Sequence, residues 1–381
     1  MNPATWPRED AEAERLLVVD PLAGGMADLA LRDLPDRLRA GDLVVVNDAA
    51  TLPASLRGAA DAVPVEVRLV GPPEDGTWTA ALLGAGDWRV RPEDRPAPPR
   101  LAPGSTLAFR DETGGVLRAT VVGVSEVSPR LVRLRFDREG DALWSALYRE
   151  GRPVQYSYLE QPLALWHVQT AYASRPWAAE APSAGRPLTW RILIEVRRRG
   201  VGLAALTHAA GLSSTGEPAL DAALPLPERF DIPAATVEAI ARTRAAHGRV
   251  VAVGTTVVRA LEGAAALGGG RIRAGEGRTT LRIDARFRPR VVDAVLTGLH
   301  QPGESHFELL TAFAPEPLLR RALAHAEAEG YLGHEFGDSC LILPRRPRGR
   351  RSRARSDRPR SELVPERVRG SVSASRAPAR G

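Results

Sequence analysis

Lysine is absent from the 381 residues, so all 52 basic residues counted as Lys+Arg are arginines. Cysteine is almost absent: the single Cys340 excludes an intramolecular disulfide framework and a cysteine-built zinc site, and it suits a reducing cytosol. Aromatic residues make up 5% of the chain. No apolar stretch reaches about 18 residues, so no membrane-spanning helix is expected. The N-terminus, MNPATWPREDAEAERLL, is acidic and lacks an apolar core, so a secretory signal is not expected either. Among motifs, a Gly-x-Gly-x-x-Gly turn, a Walker loop and a Gly-x-Ser-x-Gly elbow are all missing. The seven histidines form no i,i+4 pair and no His-Glu-x-x-His arrangement, which argues against a metal site.

What is there is 44% hydrophobic, enough to bury a sizeable core over roughly two to three domains. Charge is distributed unevenly. Residues 344–381 carry 13 arginines against Asp357, Glu362 and Glu366, a net of +10. The whole chain is +6, which leaves residues 1–343 mildly acidic at −4. The tail RRPRGRRSRARSDRPRS has almost no apolar residue and is expected to be disordered.

RLLVVD (15–20) and GDLVVVND (41–48) read as strands, with a short helix near Leu34–Arg39 between them. PVEVRLV (64–70), TWTAALLG, VLRATVVGV and RLVRLRF then follow at short intervals between Gly/Pro-rich turns. Such spacing suggests a small barrel or sandwich over 53–140. After it the period changes. A helix is expected over TWRILIEVRRRG (189–200) with Gly200 past its end, and a strand over VGLAALTH (201–208). Another helix is expected over 233–248, opened by Pro233 and closed by Gly248, then the strand RVVAVG and the helix TTVVRALEGAAA. Strands near 279–288, helices near 304–329 and a last strand at 339–343 complete the body. The expected fold is α/β: a mixed-sheet α/β main domain (1–52 and 141–343), an inserted small β-barrel domain (53–140) and the Arg-rich tail (344–381).

Polar residues end the expected strands. Asn47 and Asp48 end one, Thr207 and His208 another. Gly254-Thr255-Thr256 follows RVVAV, with Thr255 a candidate cap whose helix start would leave N–H groups for a carboxylate or phosphate. An ordinary strand–helix turn with a threonine cap fits the same residues. His300 follows VVDAVLTGL in HQPGES, and Gly337-Asp338 precede the last strand. Such residues converge when their strands share a sheet, and ligands collect at that edge. Each taken singly fits a turn or cap as well.

The order of GDLVVVND, LPASLRG, VQTAYA (168–173), APSAG (181–185), RVVAVGTTVVRALE, VVDAVLTGLHQPGES and FGDSCLI resembles the S-adenosylmethionine:tRNA ribosyltransferase-isomerases of queuosine biosynthesis, over about 15–343. The resemblance implies an α/β fold with an inserted barrel. It also implies transfer and isomerisation of the S-adenosylmethionine ribosyl moiety onto a 7-aminomethyl-7-deazaguanine in tRNA. S-adenosylmethionine would be a co-substrate, with no tightly bound cofactor and no metal, and tRNA the partner in the cytoplasm. Departures from the family pattern fall at Ala49-Ala50, Arg186-Pro187-Leu188, Ala209-Ala210-Gly211-Leu212 and Glu335-Phe336. The reaction needs a base for a ribose C5′ proton, an acid for departing adenine and donors for the methionine carboxylate. Asp338 and His300 lead as proton-transfer candidates, with His208 and Glu304 behind them. Asn47, Asp48, Ser183, Gly185, Thr207, Gly254, Thr255, Thr256, Arg259 and Ser305 are the candidates for holding substrate. Two other functions stand beside it, the first suggested by those departures and the second by the Arg-rich tail. One is a divergent paralogue that binds S-adenosylmethionine or a nucleoside but uses another acceptor. The other is a non-enzymatic RNA-binding protein tethered by its tail, which the acidic body disfavours.

Overall fold

The computed structural model describes residues 1–110 and 115–344. The expected disordered tail lies, from residue 345 on, outside the described residues.

From the N-terminus, β1 (Arg15–Asp20) pairs with β2 (Gly25–Ala30), α1 (Leu34–Arg37) follows, and β3 (Leu43–Asn47) crosses the centre of the main sheet. After the short β4 (Ala50–Thr51) the chain enters six strands: β5 (Ser55–Ala60), β6 (Val63–Leu69), β7 (Trp78–Leu83), β8 (Thr106–Arg110), β9 (Val116–Val124) and β10 (Leu131–Phe136). They close into a barrel in the order β10-β7-β6-β5-β8-β9. Alternation explains it. Val65, Val67 and Leu69 of β6 and Val132, Leu134 and Phe136 of β10 fill the interior with Trp78 and Phe109. The expected small barrel is therefore present.

α2 (Gly140–Glu150) returns the chain, and β11 (Pro176–Ala178) pairs with β4. Then come α3 (Trp190–Arg198), β12 (Gly202–His208), α4 (Pro218–Ala223), β13 (Glu228–Ile232), α5 (Ala234–Ala245), β14 (Val250–Val253) and α6 (Thr255–Leu267). β15 (Gly275–Thr279), β16 (Ala294–Gly298), α7 (Ser305–Leu310), α8 (Glu316–Ala328) and β17 (Ser339–Ile342) finish the described chain. The main sheet is mixed and nine-stranded, ordered β15-β13-β12-β3-β14-β16-β17-β1-β2. One face packs on the apolar helix α6 together with α7 and α8 (Val257, Val258, Leu261, Phe307, Leu318). The other carries α3 through Ile192, Leu193 and Val196. α3 is the 3.6-period helix expected, its Thr189 accepting the Ile192 N–H at 3.3 Å.

Two expectations are corrected. The strand expected near 279–288 ends at Thr279, because its partner β13 runs out at the Glu228–Thr279 pair. Beyond it Leu281, Ile283 and Phe287 pack on the core from irregular backbone. Helix α5 is not closed by a left-handed Gly248; His247 takes that conformation at φ 58°. Gly248 instead lies against the Gly41 turn, where a Cβ would stand 1.9 Å from the Gly41 carbonyl oxygen. Among the described residues no helix is long and apolar enough to cross a membrane.

Candidate active site

Strand direction decides what meets at each edge. β3 runs parallel to β12 and β14, and β14 parallel to β16, so these four strands end at one edge. β17 is antiparallel to β16 and β13 antiparallel to β12, so both begin there. Asn47, His208, Gly254, the turn after Gly298, Glu228 and Asp338 therefore line a single edge.

Alternation then sorts their faces. Asn47 shares its face with Leu43 and Val45, His208 with Leu206, and Glu228 with Phe230 and Ile232; all belong to the α6 side. Asn47 Oδ1 accepts the His208 and Ala49 N–H groups at 2.9 and 3.1 Å, while its Nδ2 donates to the His208 carbonyl at 3.0 Å. Its Nδ2 lies 3.5 Å from Thr256 Oγ1. His208 Nε2 is 3.2 Å from Glu228 Oε2, and an Arg259 terminal nitrogen is 2.9 Å from the same oxygen. Burial works to raise the Glu228 carboxyl, but the His208 imidazole and the Arg259 guanidinium outweigh it and hold it below the usual range. Alignment in this triad is poor. His208 Nδ1 and Nε2, Glu228 Oε2 and two Arg259 nitrogens are buried without an aligned hydrogen bond. The opposite face holds a contact the sequence did not announce: the Thr207 hydroxyl donates to Asp48 at 2.6 Å and accepts from Arg175, which also reaches Asp231.

The Gly254-Thr255-Thr256 start differs from expectation in one respect. Thr255 does not cap α6; the N-cap is Gly254, at φ 88° and ψ 153°, and no side chain bonds the first turn. That backbone is open almost only to glycine. None of the described hydrogen bonds uses the Thr255, Thr256 or Val257 N–H groups, so the positive end of a 13-residue helix stays open. Ala184, in the turn formed by Ser183–Gly185, packs over Gly254. The Tyr172 hydroxyl lies 3.4 Å from the Gly185 carbonyl.

The turn after β16 brings His300 Nε2 to 2.9 Å from Thr297 Oγ1 and His300 Nδ1 to 3.7 Å from Glu304. Burial would raise Glu304, but His300 and the Gln301 N–H prevail and lower it. The His306 ring stands 4.9 Å from that of His300, and burial, helped by His300 and Arg259, pushes its imidazole down to about 4. Ser305 opens α7 beside them and is exposed.

Asp338 lies on the same edge but apart. β17 is four strands from β12, roughly 19 Å at about 4.8 Å per strand. Its Oδ1 accepts Arg8 at 2.6 Å and the Arg15 N–H at 2.9 Å, and its Oδ2 accepts the Leu332 N–H at 2.8 Å. Three of about four acceptor directions are thus engaged, an arrangement that favours clamping the N-terminal segment over moving protons. Beside it Glu14 accepts from Ser339 at 2.8 Å and faces Arg186 at 3.3 Å; burial pushes its carboxyl up to about 7. Glu228, His306 and Glu14 carried no sequence signal of their own. Only Glu228 had an indirect one, the β13 alternation with Phe230 and Ile232. A cavity of about 40 Å³ between the barrel and residues 152–162, lined by Glu66, Trp88 and Gln155, is not where these ionisable groups converge. Among the described residues no group of three or more His, Cys, Asp or Glu is placed to hold a metal ion.

The arrangement offers an open helix N-terminus for an anion, amide and hydroxyl groups beside it, and imidazoles and carboxylates for proton transfer. A family model described as "Queuosine biosynthesis protein" matches residues 2–342. The S-adenosylmethionine:tRNA ribosyltransferase-isomerase of Synechococcus elongatus is 36% identical, covering 82% of this chain and 84% of its own. That of Methylobacterium radiotolerans is also 36% identical, covering 90% and 94%. The crystal structure of an S-adenosylmethionine tRNA ribosyltransferase from Thermotoga maritima is 25% identical, covering 89% and 95%, with a TM-score of 0.47.

Proposed function

Because the chain belongs to the queuosine biosynthesis protein family, we propose that it transfers and isomerises the ribosyl moiety of S-adenosylmethionine onto a 7-aminomethyl-7-deazaguanine in tRNA. The observation that carries this reading is the family match over nearly the whole described body, backed by relatives of that activity at about a third identity. S-adenosylmethionine is then a co-substrate that arrives whole and is broken down in the reaction, not a tightly bound cofactor, and the reaction takes place in the cytoplasm where tRNA is found. The same reading divides the chain into a main domain of 1–52 and 141–343, an inserted barrel of 53–140 and a tail.

The residues take roles from their surroundings. The open N–H groups at Gly254-Thr255-Thr256 suit the methionine carboxylate or an RNA phosphate. Asn47, Asp48 and Thr207 offer groups for ribose hydroxyls, and the Ser183–Gly185 turn packs over Gly254. Arg259, held by Glu228, supplies positive charge, and Ser305 a hydroxyl at the mouth. His300, 2.9 Å from Thr297 Oγ1 and beside Glu304, is the leading acid or base, with Glu304 and His208 behind it. Asp338 fits better as the clamp of the N-terminal segment.

The test is mass spectrometry of tRNA nucleosides after incubation with S-adenosylmethionine and a tRNA carrying the aminomethyl base. Growth of the ribosyl-derived adduct with release of adenine supports the reading. Bound S-adenosylmethionine with unchanged tRNA would sink it.

A further inference from the structure

Glu180 was no candidate in the sequence. It stands between two elements that meet the polar strand ends. On one side the Ala179 N–H donates to the Ala210 carbonyl at 2.8 Å, two residues past His208. On the other, the Ser183–Gly185 turn carries Ala184 over Gly254. Its Oε1 collects three donors: the Tyr156 hydroxyl, the Ser213 N–H at 2.8 Å and the Ser213 hydroxyl at 3.1 Å. None of the described hydrogen bonds reaches Oε2. The Arg68 guanidinium, from barrel strand β6, lies 5.5 Å from the centre of the Tyr156 ring, and its field reaches Glu180. Arg68 and Tyr156 both act on the Glu180 carboxyl. A row of rings leads onward. Tyr156 lies 6.3 Å from Tyr158, Tyr158 stacks on His334 at 4.2 Å, and His334 feels the charges of Glu304 and His300.

We propose that Glu180 is a proton-exchanging residue of this site: anchored through Oε1, it accepts on Oε2 a proton from the amino nitrogen of the acceptor base. The proposal rests on the family reading, which supplies that amine. An aliphatic amine with a pKa near that of lysine, about 10.4, is almost wholly protonated at neutral pH and cannot attack carbon. In the step the ammonium N–H bond breaks, its electron pair stays on nitrogen, and an O–H bond forms on Oε2. Nothing is oxidised, and the proton passes on to water. Burial raises the Glu180 carboxyl above its ordinary value against the opposing donors, which brings it nearer the working pH of a base.

The experiment follows adenine release from S-adenosylmethionine with the aminomethyl tRNA across pH 5–9, for wild type, Glu180→Gln and Tyr156→Phe. Wild type should show an acid limb in kcat/KM. Glu180→Gln should lose that limb and fall by about 10²–10⁴-fold. Tyr156→Phe removes a donor that favours the charged carboxylate, so its limb should move to higher pH. Thermal melts and calorimetry with S-adenosylmethionine should match across the three proteins. An infrared difference between wild type and Glu180→Gln reads the carboxyl titration without turnover. An active wild type whose Glu180→Gln variant keeps its rate within about threefold and the same acid limb overturns this proposal alone. A wild type silent on any tRNA overturns the family reading, and the proton step named here with it.

Discussion

At the edge where β3 and β14 begin, Arg249 lies against Asp42; at the edge where they end, Glu228 lies between His208 and Arg259. Both sites are buried, yet they are finished differently. Asp42 receives the Arg249 Nε, the Arg249 N–H and the Arg39 N–H at 2.9–3.2 Å and a terminal nitrogen at 2.5 Å, while Arg249 also reaches the Arg37 and Pro344 carbonyls. At the other edge five polar atoms of the triad lack an aligned partner. The same strands thus hold one ion pair that serves the fold and one network left unfinished. A buried ion-pair network with poorly aligned hydrogen bonds leaves donor and acceptor directions for a ligand or a reaction to use.

The largest effect should come from breaking the finished edge. Asp42→Asn leaves Arg249 buried and uncompensated, and a urea melt should show a loss of about 3–5 kcal/mol. A loss within about 1 kcal/mol would remove the contrast on which the comparison stands.

Next is the pH dependence of the unfinished edge. Folding raises Glu14 from its ordinary 4.5 to about 7, so the folded chain keeps a proton that the unfolded chain has lost in that window. The stability this contributes is complete below about 4.5 and disappears as pH rises through about 7, on the order of 3 kcal/mol in all. Glu335, also raised to about 7, adds to this decline and His306, lowered to about 4, opposes it, so Glu14→Gln should make the melt profile from pH 4.5 to 8 shallower in that sense by the Glu14 share. Equal slopes in both proteins would place the titration elsewhere.

Asp338→Asn should be the smallest. Two of its three donors, Arg8 and the Arg15 N–H, hold the N-terminal segment, so about 1–2 kcal/mol of stability is expected to go, with turnover reduced less than about tenfold. A turnover loss of about 10²-fold or more at unchanged stability would restore Asp338 to the proton-transfer role.

Much of this was legible. The barrel followed from alternation in PVEVRLV and RLVRLRF, and α3 from its 3.6 period. The shared edge of Asn47, His208, Gly254, His300 and Asp338 followed from polar residues ending apolar strands. What sequence could not supply was partnership across elements. Glu228 reads as one polar residue at the start of a short strand until β13 is paired with β12 and set opposite α6. Glu180 reads as a loop carboxylate until residues 210 and 213 close against it. Asp338 and His208 look equivalent as strand-end residues, and only the sheet order puts them four strands apart. The Thr255 cap failed because Gly254, in a conformation available almost only to glycine, took the capping position.

The most direct test of the contrast measures turnover and stability together in two like substitutions, Asp42→Asn and Glu228→Gln. Adenine release per folded molecule and the urea midpoint are read on the same preparations. Glu228→Gln should lower turnover per folded molecule by about 10²-fold, through misplacement of His208 and Arg259, beyond any loss of stability. Asp42→Asn should do the reverse, losing stability with turnover per folded molecule near wild type. If Glu228→Gln instead unfolds the chain as readily as Asp42→Asn and its folded fraction turns over normally, both edges are structural and the account is wrong.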